Sequence, residues 1–350
     1  MPAHLMELPR RVAVGSGIIL EIGEIIHDLG IGFGCLIISG PNVRNVLGQE
    51  LPLLLKRDGY KPSWEVIKDS TFSETERITD LAKKKDASFL IGVGGGKSID
   101  VAKLASFNAK MPFISIPTSA SHDGVSSPFA SVKGLDRPYS VVARPPVAVI
   151  ADIEIIARAS RKLLVSGCGD LVSKKTAVKD WELAFEKKKE YFGRYSASLA
   201  LLSADLVLDN ASLISEGKLE SVRVVVEALI SAGVSAGIAG SSRPCSGSEH
   251  LFSHAMDIVA PGKGMHGEKC GMGTIMMSRL YEMEDSRLIK DSLKLMGAPV
   301  TAREIGATES EIVKSLVLAG SLRKERYTIL DEAKLDESSA RKLALESGVI

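Results

Sequence analysis

Phe89-Leu90-Ile91-Gly92-Val93-Gly94-Gly95-Gly96-Lys97-Ser98-Ile99-Asp100-Val101-Ala102-Lys103 is an apolar run that breaks on three glycines and resumes with helix-forming residues. Residues 89–93 predict a buried parallel strand. Gly94, Gly95 and Gly96 predict a turn whose backbone can approach a ligand without side-chain obstruction. A helix opening at Lys97 or Ser98 would aim free N–H groups and its positive dipole end at an anion. Neither common nucleotide fingerprint is present. GxGxxG begun at Gly92 needs glycine where Lys97 stands, and a P-loop ending at Gly96-Lys97-Ser98 needs glycine at Ile91. A bare strand-to-helix connection and a pyrophosphate cradle both remain open, and three glycines after a buried strand favour the cradle.

Outward from this stretch, short apolar runs recur at residues 11–14, 36–39, 64–67, 113–116 and 147–150. Most are bounded by Gly, Pro or Asp. Amphipathic stretches such as residues 73–85 lie between them. Strand and helix in alternation predict a doubly wound sheet. Residues 130–144 interrupt the rhythm with two extended runs around Lys133-Gly134-Leu135-Asp136-Arg137-Pro138, the pattern of an inserted hairpin. From about Asp152 the strand signals stop. Helical periodicity then takes over at residues 153–160, 171–185, 195–209, 218–239 and 249–259. The fold expected is α/β: a doubly wound, Rossmann-like domain over residues 1–155, then an all-helical domain over 156–350.

The 350 residues are 45% hydrophobic and 25% charged, an ordinary globular composition. Lys and Arg number 44 against 43 Asp and Glu, so a net charge of +1 provides no field to recruit nucleic acid or a membrane surface. An anionic substrate must be gripped by local cations. Residues 222–240 are the longest apolar stretch, but Arg223 and Glu227 within it favour a buried helix over a membrane span. That helix also leaves room for a subunit interface, and a homo-oligomer is expected. The opening MPAHLMELPRR carries neither the apolar core nor the cleavage site of a signal peptide. Four cysteines, Cys35, Cys168, Cys245 and Cys270, form no CxxC pair and no disulfide framework. A reduced, cytoplasmic protein is expected.

Two further stretches carry chemistry. The run at residues 113–116 leads into Pro117-Thr118-Ser119-Ala120-Ser121-His122-Asp123-Gly124-Val125-Ser126-Ser127-Pro128, dense in short hydroxyls suited to phosphate, ribose or carboxamide. In a doubly wound sheet this loop would emerge beside the glycine turn. A plain polar loop with an Asx-turn at Asp123 is the competing reading. In the helical half, three of the six histidines fall in one window: His250, His254 and His266. His250 and His254, four apart, share a helix face and have the spacing of two ligands to one metal. His266 sits in a glycine-flanked turn that could bring a third imidazole. Asp170 opens the stretch 171–185, either as a simple N-cap or as a carboxylate ligand.

At these residues the sequence resembles the iron-containing alcohol dehydrogenase superfamily, which includes glycerol dehydrogenases and dehydroquinate synthases. Within it the likeness is to the family of glycerol-1-phosphate dehydrogenases. The resemblance runs from Gly15-Ser16-Gly17 and Ser39-Gly40-Pro41-Asn42 to Arg326-Tyr327-Thr328-Ile329-Leu330. It is most discriminating at Pro117–Gly124 followed by Ser127-Pro128-Phe129-Ala130-Ser131, whereas the glycine turn is shared across the superfamily.

The resemblance implies one zinc ion per subunit held by Asp170, His250 and His266 with an open position. It gives His254 to the substrate rather than the metal, against the simplest reading of the i,i+4 spacing. It also implies that Asp123, Asp170 and His254 serve substrate binding and catalysis. Gly95, Gly96, Lys97, Ser98, Ile99 and Asp100, with Thr118, Ser119, Ala120 and Ser121, would hold the cofactor's pyrophosphate and adjoining sugar, and Ser127 the nicotinamide. The reaction implied is reduction of dihydroxyacetone phosphate to sn-glycerol 1-phosphate by NAD(P)H, for archaeal phospholipid backbones. The neutral Gly40-Pro41-Asn42 after the second strand, where an acidic residue would repel a 2′-phosphate, suits both NADH and NADPH. Lys133, Arg137, Lys263 and Arg243 are candidate cations for the substrate phosphate. The alternatives are glycerol dehydrogenase or a dehydroquinate synthase-like enzyme on the same scaffold, or a nucleotide- and metal-binding sensor without turnover.

Overall fold

The computed structural model describes residues 4–134 and 141–350, so Arg137 lies outside the described residues. Its contacts divide the chain into two compact units, Met1–Ser160 and Arg161–Ile350.

The first unit is built on strands β1 (Arg11–Gly15), β2 (Gly34–Ser39), β3 (Lys61–Val66), β4 (Phe89–Gly94), β5 (Phe113–Pro117) and β8 (Ala148–Asp152). All pair in parallel, in the order β1-β8-β5-β4-β2-β3. The doubly wound sheet expected from strand–helix alternation is present. β2 and β4 are neighbours, but the chain leaves β2 toward β3 on one side and β4 toward β5 on the other. Loops after these two strands therefore diverge, the arrangement that opens a ligand crevice at the strands' carboxyl ends. Two-sided burial explains the apolar runs: Leu36, Ile37, Ile38, Phe89, Leu90 and Ile91 are wholly buried. β3 starts at Lys61, three residues before its apolar run, and takes in Pro62. An edge strand tolerates a residue that cannot donate to a ladder. The interrupted segment holds a two-stranded pair, β6 (Phe129–Ala130) antiparallel to β7 (Val141–Val142).

The second unit is helical throughout its described elements. One sequence expectation is corrected here. Residues 171–185 do not form a single helix opened by Asp170. A helix Arg161–Val172 carries Asp170 in its last turn, and a second helix, Lys174–Lys188, starts after Ser173. Asp170 is thus not an N-cap. Gly167 and Gly169 lie inside the first helix. A Cβ on Gly169 would stand 2.2 Å from the carbonyl oxygen of Gly267, and a Cβ on Gly267 would stand 1.8 Å from that of Ser166. Glycine is needed there because the two backbones nearly touch, not because the chain turns.

The helix Leu219–Ala239 is long and apolar enough to cross a membrane by length and composition, but 67% of its most apolar 18 residues are buried. That is the pattern of a core helix. All four cysteines are buried and free of disulfides.

Candidate active site

In the first unit, β4 ends at Gly94, whose φ of +141° is open to glycine alone at little cost. The helix Gly96–Ala109 follows, with Gly95 as N-cap, no side-chain capping bond and no acidic residue in its first turn. Its positive end is left for an anion. Side chains at the turn would collide: a Cβ on Gly95 would lie 3.2 Å from Ser119 Oγ, and one on Gly96 2.4 Å from His122 Nε2. β5 runs beside β4 with Gly94 opposite Pro117, and the Thr118 N–H donates to the Gly94 carbonyl at 3.0 Å. The hydroxyl-rich loop and the glycine turn therefore leave the sheet side by side.

Gly95, Gly96, Lys97 and Ser98 line this turn, with Thr118, Ser119, Ala120 and Ser121 across from it. The Ile99 side chain is wholly buried, and Lys97 Nζ is paired with Asp69 at 3.1 Å. That pairing, with the Ser70 N–H and Lys133, holds the Asp69 carboxyl at about 2. An anion here would thus meet Lys97 through its backbone N–H. His122 Nδ1 accepts from the Gly124 N–H at 2.9 Å, which leaves the proton on Nε2, a buried atom without a hydrogen-bond partner. An open helix end, a cradle that any Cβ would fill and an orphaned donor beside it fit a dinucleotide pyrophosphate.

The loop is held from beneath by a residue sequence reading passed over. Lys103 is wholly buried, and its Nζ donates to the carbonyls of Gly124 (2.7 Å) and Phe129 (2.6 Å) and to Asp100 Oδ1 (3.3 Å). Asp100 Oδ2 accepts the Ser131 N–H at 3.0 Å. The pair fastens the segment bearing Asp123 and Ser127 to the cofactor helix. Burial pulls the Lys103 ammonium below its usual value, with Asp100 opposing. Replacing Lys103 by methionine is expected to cost ~3–5 kcal/mol, because Asp100 keeps a buried charge without its partner. NADH binding should weaken as well. Thermal unfolding and cofactor titration check this, and wild-type values in both would refute it.

In the second unit, Asp170, His250, His266 and Cys270 bring one ligand atom each to within 4.8 Å of one another. His250 lies on the helix Ser248–Val259, and His266 is the first residue of the helix His266–Leu280 rather than part of a turn. A carboxylate oxygen and two imidazole nitrogens form a donor set for zinc or iron, with the Cys270 sulfur as a softer neighbour. The donor set fits a divalent ion. His250 Nε2 stands 3.5 Å from Asp170 Oδ1. His254 is set slightly apart: its ring centroid is 6.5 Å from that of His266, against 5.1 Å for His250. The i,i+4 histidines are thus not equivalent, and His254 is outside the four-atom cluster.

The charges are strongly coupled. Against the cost of burial, the Lys174 ammonium at 3.0 Å and the nearby histidines hold the Asp170 carboxyl well below the usual carboxylate range. Burial resists ionisation of Cys270, yet His250 and His266 bring its thiol down to about 6. Burial also opposes the charged form of His250, but Cys270, Asp170 and Glu249 lift it well above its ordinary value. His254 is pushed the other way, by burial first and then by the positive charge of His266 and His250, which disfavours its charged form.

Cys270 and Lys174 escaped the sequence reading. Each had a visible signal, spacing of four residues from His266 and from Asp170 on one helical face. Of the candidate phosphate cations, Lys133 pairs with Asp69, Lys263 with Glu311 at 2.8 Å, and buried Arg243 with Glu190 and the Tyr327 carbonyl.

A family profile described as iron-containing alcohol dehydrogenase matches residues 13–160. Over 350 residues, 100% of this chain and 98% of the relative, the sequence is 51% identical to a protein of Nitrosopumilus maritimus named glycerol-1-phosphate dehydrogenase [NAD(P)+]. The chain belongs to the glycerol-1-phosphate dehydrogenase family. A family member of the same name from Pyrococcus horikoshii is 45% identical over 347 residues, covering 99% of this chain and 100% of the relative. Among solved structures, a probable glycerol dehydrogenase from Sinorhizobium meliloti superposes with a TM-score of 0.80, covering 99% of this chain and 98% of that one. At 18% identity that likeness speaks for the fold alone.

Proposed function

We propose that this chain reduces dihydroxyacetone phosphate to sn-glycerol 1-phosphate with hydride from NADH or NADPH, supplying the glycerol backbone of archaeal phospholipids. The observation that carries this reading is full-length identity of 51% to a relative bearing that name. The glycine cradle and the Asp170–His250–His266 cluster supply the chemistry such a reaction needs. In this reading residues 1–155 form the cofactor domain and residues 156–350 the metal and substrate domain.

Gly95 to Asp100 and Thr118 to Ser121 bind the pyrophosphate and neighbouring sugar, and Ser127 the nicotinamide. Asp170, His250 and His266 hold a zinc ion. When bound, zinc supplies positive charge that stabilises the negative charge developing on the ketone oxygen as hydride arrives. Asp170 contributes the anionic charge that retains the ion. Asp123 and His254 contact the substrate. In the neutral form that burial favours, His254 can donate through one ring nitrogen and accept through the other at the substrate hydroxyl. Four buried thiols without disulfides suit the reduced cytoplasm. A homo-oligomer is part of the proposal.

Purified protein should oxidise NADH with dihydroxyacetone phosphate and far more slowly with unphosphorylated dihydroxyacetone. Equal rates would defeat the phosphate-specific reading in favour of a glycerol dehydrogenase. The neutral loop after β2 leads us to expect kcat/KM for NADH and NADPH within about tenfold of each other. A strong chelator should remove turnover, and zinc added back should restore it. Undiminished activity in stoichiometrically metal-free protein would refute the metal assignment.

A further inference from the structure

We propose that Glu249 is a positioning residue that fixes which nitrogen of His250 is offered to the metal. The inference rests on the metal reading of Asp170, His250 and His266. Glu249 is wholly buried at the second position of the His250 helix. Its Oε1 lies 2.7 Å from His250 Nδ1 and accepts the Gly247 N–H at 2.7 Å. Its Oε2 accepts from the Thr176 hydroxyl at 2.9 Å. A carboxylate can only accept, so a bond to Nδ1 requires the proton on Nδ1. With Nδ1 protonated, Nε2 is the nitrogen whose lone pair a metal ion can take, and Nε2 is the atom 3.5 Å from Asp170 Oδ1. The opposite tautomer would set two acceptors against each other at 2.7 Å and point a hydrogen into the ligand cluster.

The backbone beneath Glu249 is equally constrained. A Cβ on Gly273, in the His266 helix, would lie 2.9 Å from both the Cα and the carbonyl oxygen of Glu249. The side chain therefore leaves from a fixed point. Thr176 belongs to the helix Lys174–Lys188, so Glu249 ties the chain just beyond Asp170 to the ring of His250. A carboxylate behind a metal-binding histidine also raises the basicity of that ligand.

Zinc affinity, measured by competition with a chromophoric chelator, should fall by roughly 10–100-fold in Glu249→Ala. Glu249→Gln, which keeps an acceptor but loses the charge, should restore part of that loss. Cobalt-loaded protein should show visible bands shifted in the alanine variant and shifted less in the glutamine variant. If Glu249→Ala does not fold, the near-isosteric glutamine variant decides, with about a tenfold weaker zinc affinity and a shifted cobalt spectrum expected. Wild-type zinc affinity and an unchanged cobalt spectrum in Glu249→Gln would overturn the inference, even in a protein that melts earlier. His250→Ala separates the two levels. If it loses zinc while the Glu249 variants keep it, only the positioning role falls. If it binds zinc as the wild type does, the metal reading falls and the positioning role with it.

Discussion

Replacing His250 by alanine is expected to leave a folded protein that binds no stoichiometric zinc and has lost at least about 10³-fold in kcat/KM, roughly 4 kcal/mol of transition-state stabilisation. Of the proposed ligands only Asp170 and His266 remain where a catalytic zinc site uses three, and the Cys270 sulfur beside them would have to replace an imidazole. Asp170→Asn should behave alike, and it is a fairer test than alanine. Asp170 is bonded to the wholly buried Lys174 ammonium at 3.0 Å, and asparagine keeps an acceptor for it where alanine keeps none. Metal analysis beside steady-state kinetics checks both variants. A His250→Ala enzyme with full zinc occupancy and turnover would remove the basis for the proposed chemistry.

The second large effect concerns stability. Gly267→Ala places a methyl where 1.8 Å separates it from the Ser166 carbonyl oxygen, and that obstacle is backbone, which cannot rotate away. The helices Arg161–Val172 and His266–Leu280 must then move apart. Overpacking of this kind costs about 3 kcal/mol or more, which for a unit of this size lowers Tm by roughly 6–12 °C. The same helices carry Asp170 and His266, so zinc affinity should fall with stability. A Tm within about 2 °C of wild type, measured by calorimetry, would show that the crossing relaxes more readily than its geometry indicates.

Much of the sheet was legible because strands buried on both faces must be apolar throughout, and residues 36–39 and 89–93 read as strands on that ground alone. The edge strand β3 read less well: only its apolar end was visible, and Pro62 obscured its start. Gly94–Gly96 announced itself since a turn before a helix is what glycine runs commonly make. Gly169 and Gly267 carried no such mark, as glycine in a helix crossing looks like glycine in a turn until the partner backbone is seen. His250, His254 and His266 stood out by rarity, whereas Cys270 did not: its spacing of four from His266 was its one mark, and Asp170 and His250 reach it from two other helices. The burial of Lys103 and Lys174 was illegible, although the spacing of Lys174 from Asp170 was not. A lysine carries no mark of burial in its sequence, and only the carbonyls and carboxylates around its ammonium disclose it.

The pairing of Lys174 with Asp170 bears on how the protein matures. A lone anion sealed in an apolar interior would oppose folding, but here a built-in counter-charge neutralises it from the start. If Asp170 holds the proposed ion, that ion is not needed to offset the carboxylate's charge, and protein stripped of metal is expected to stay folded.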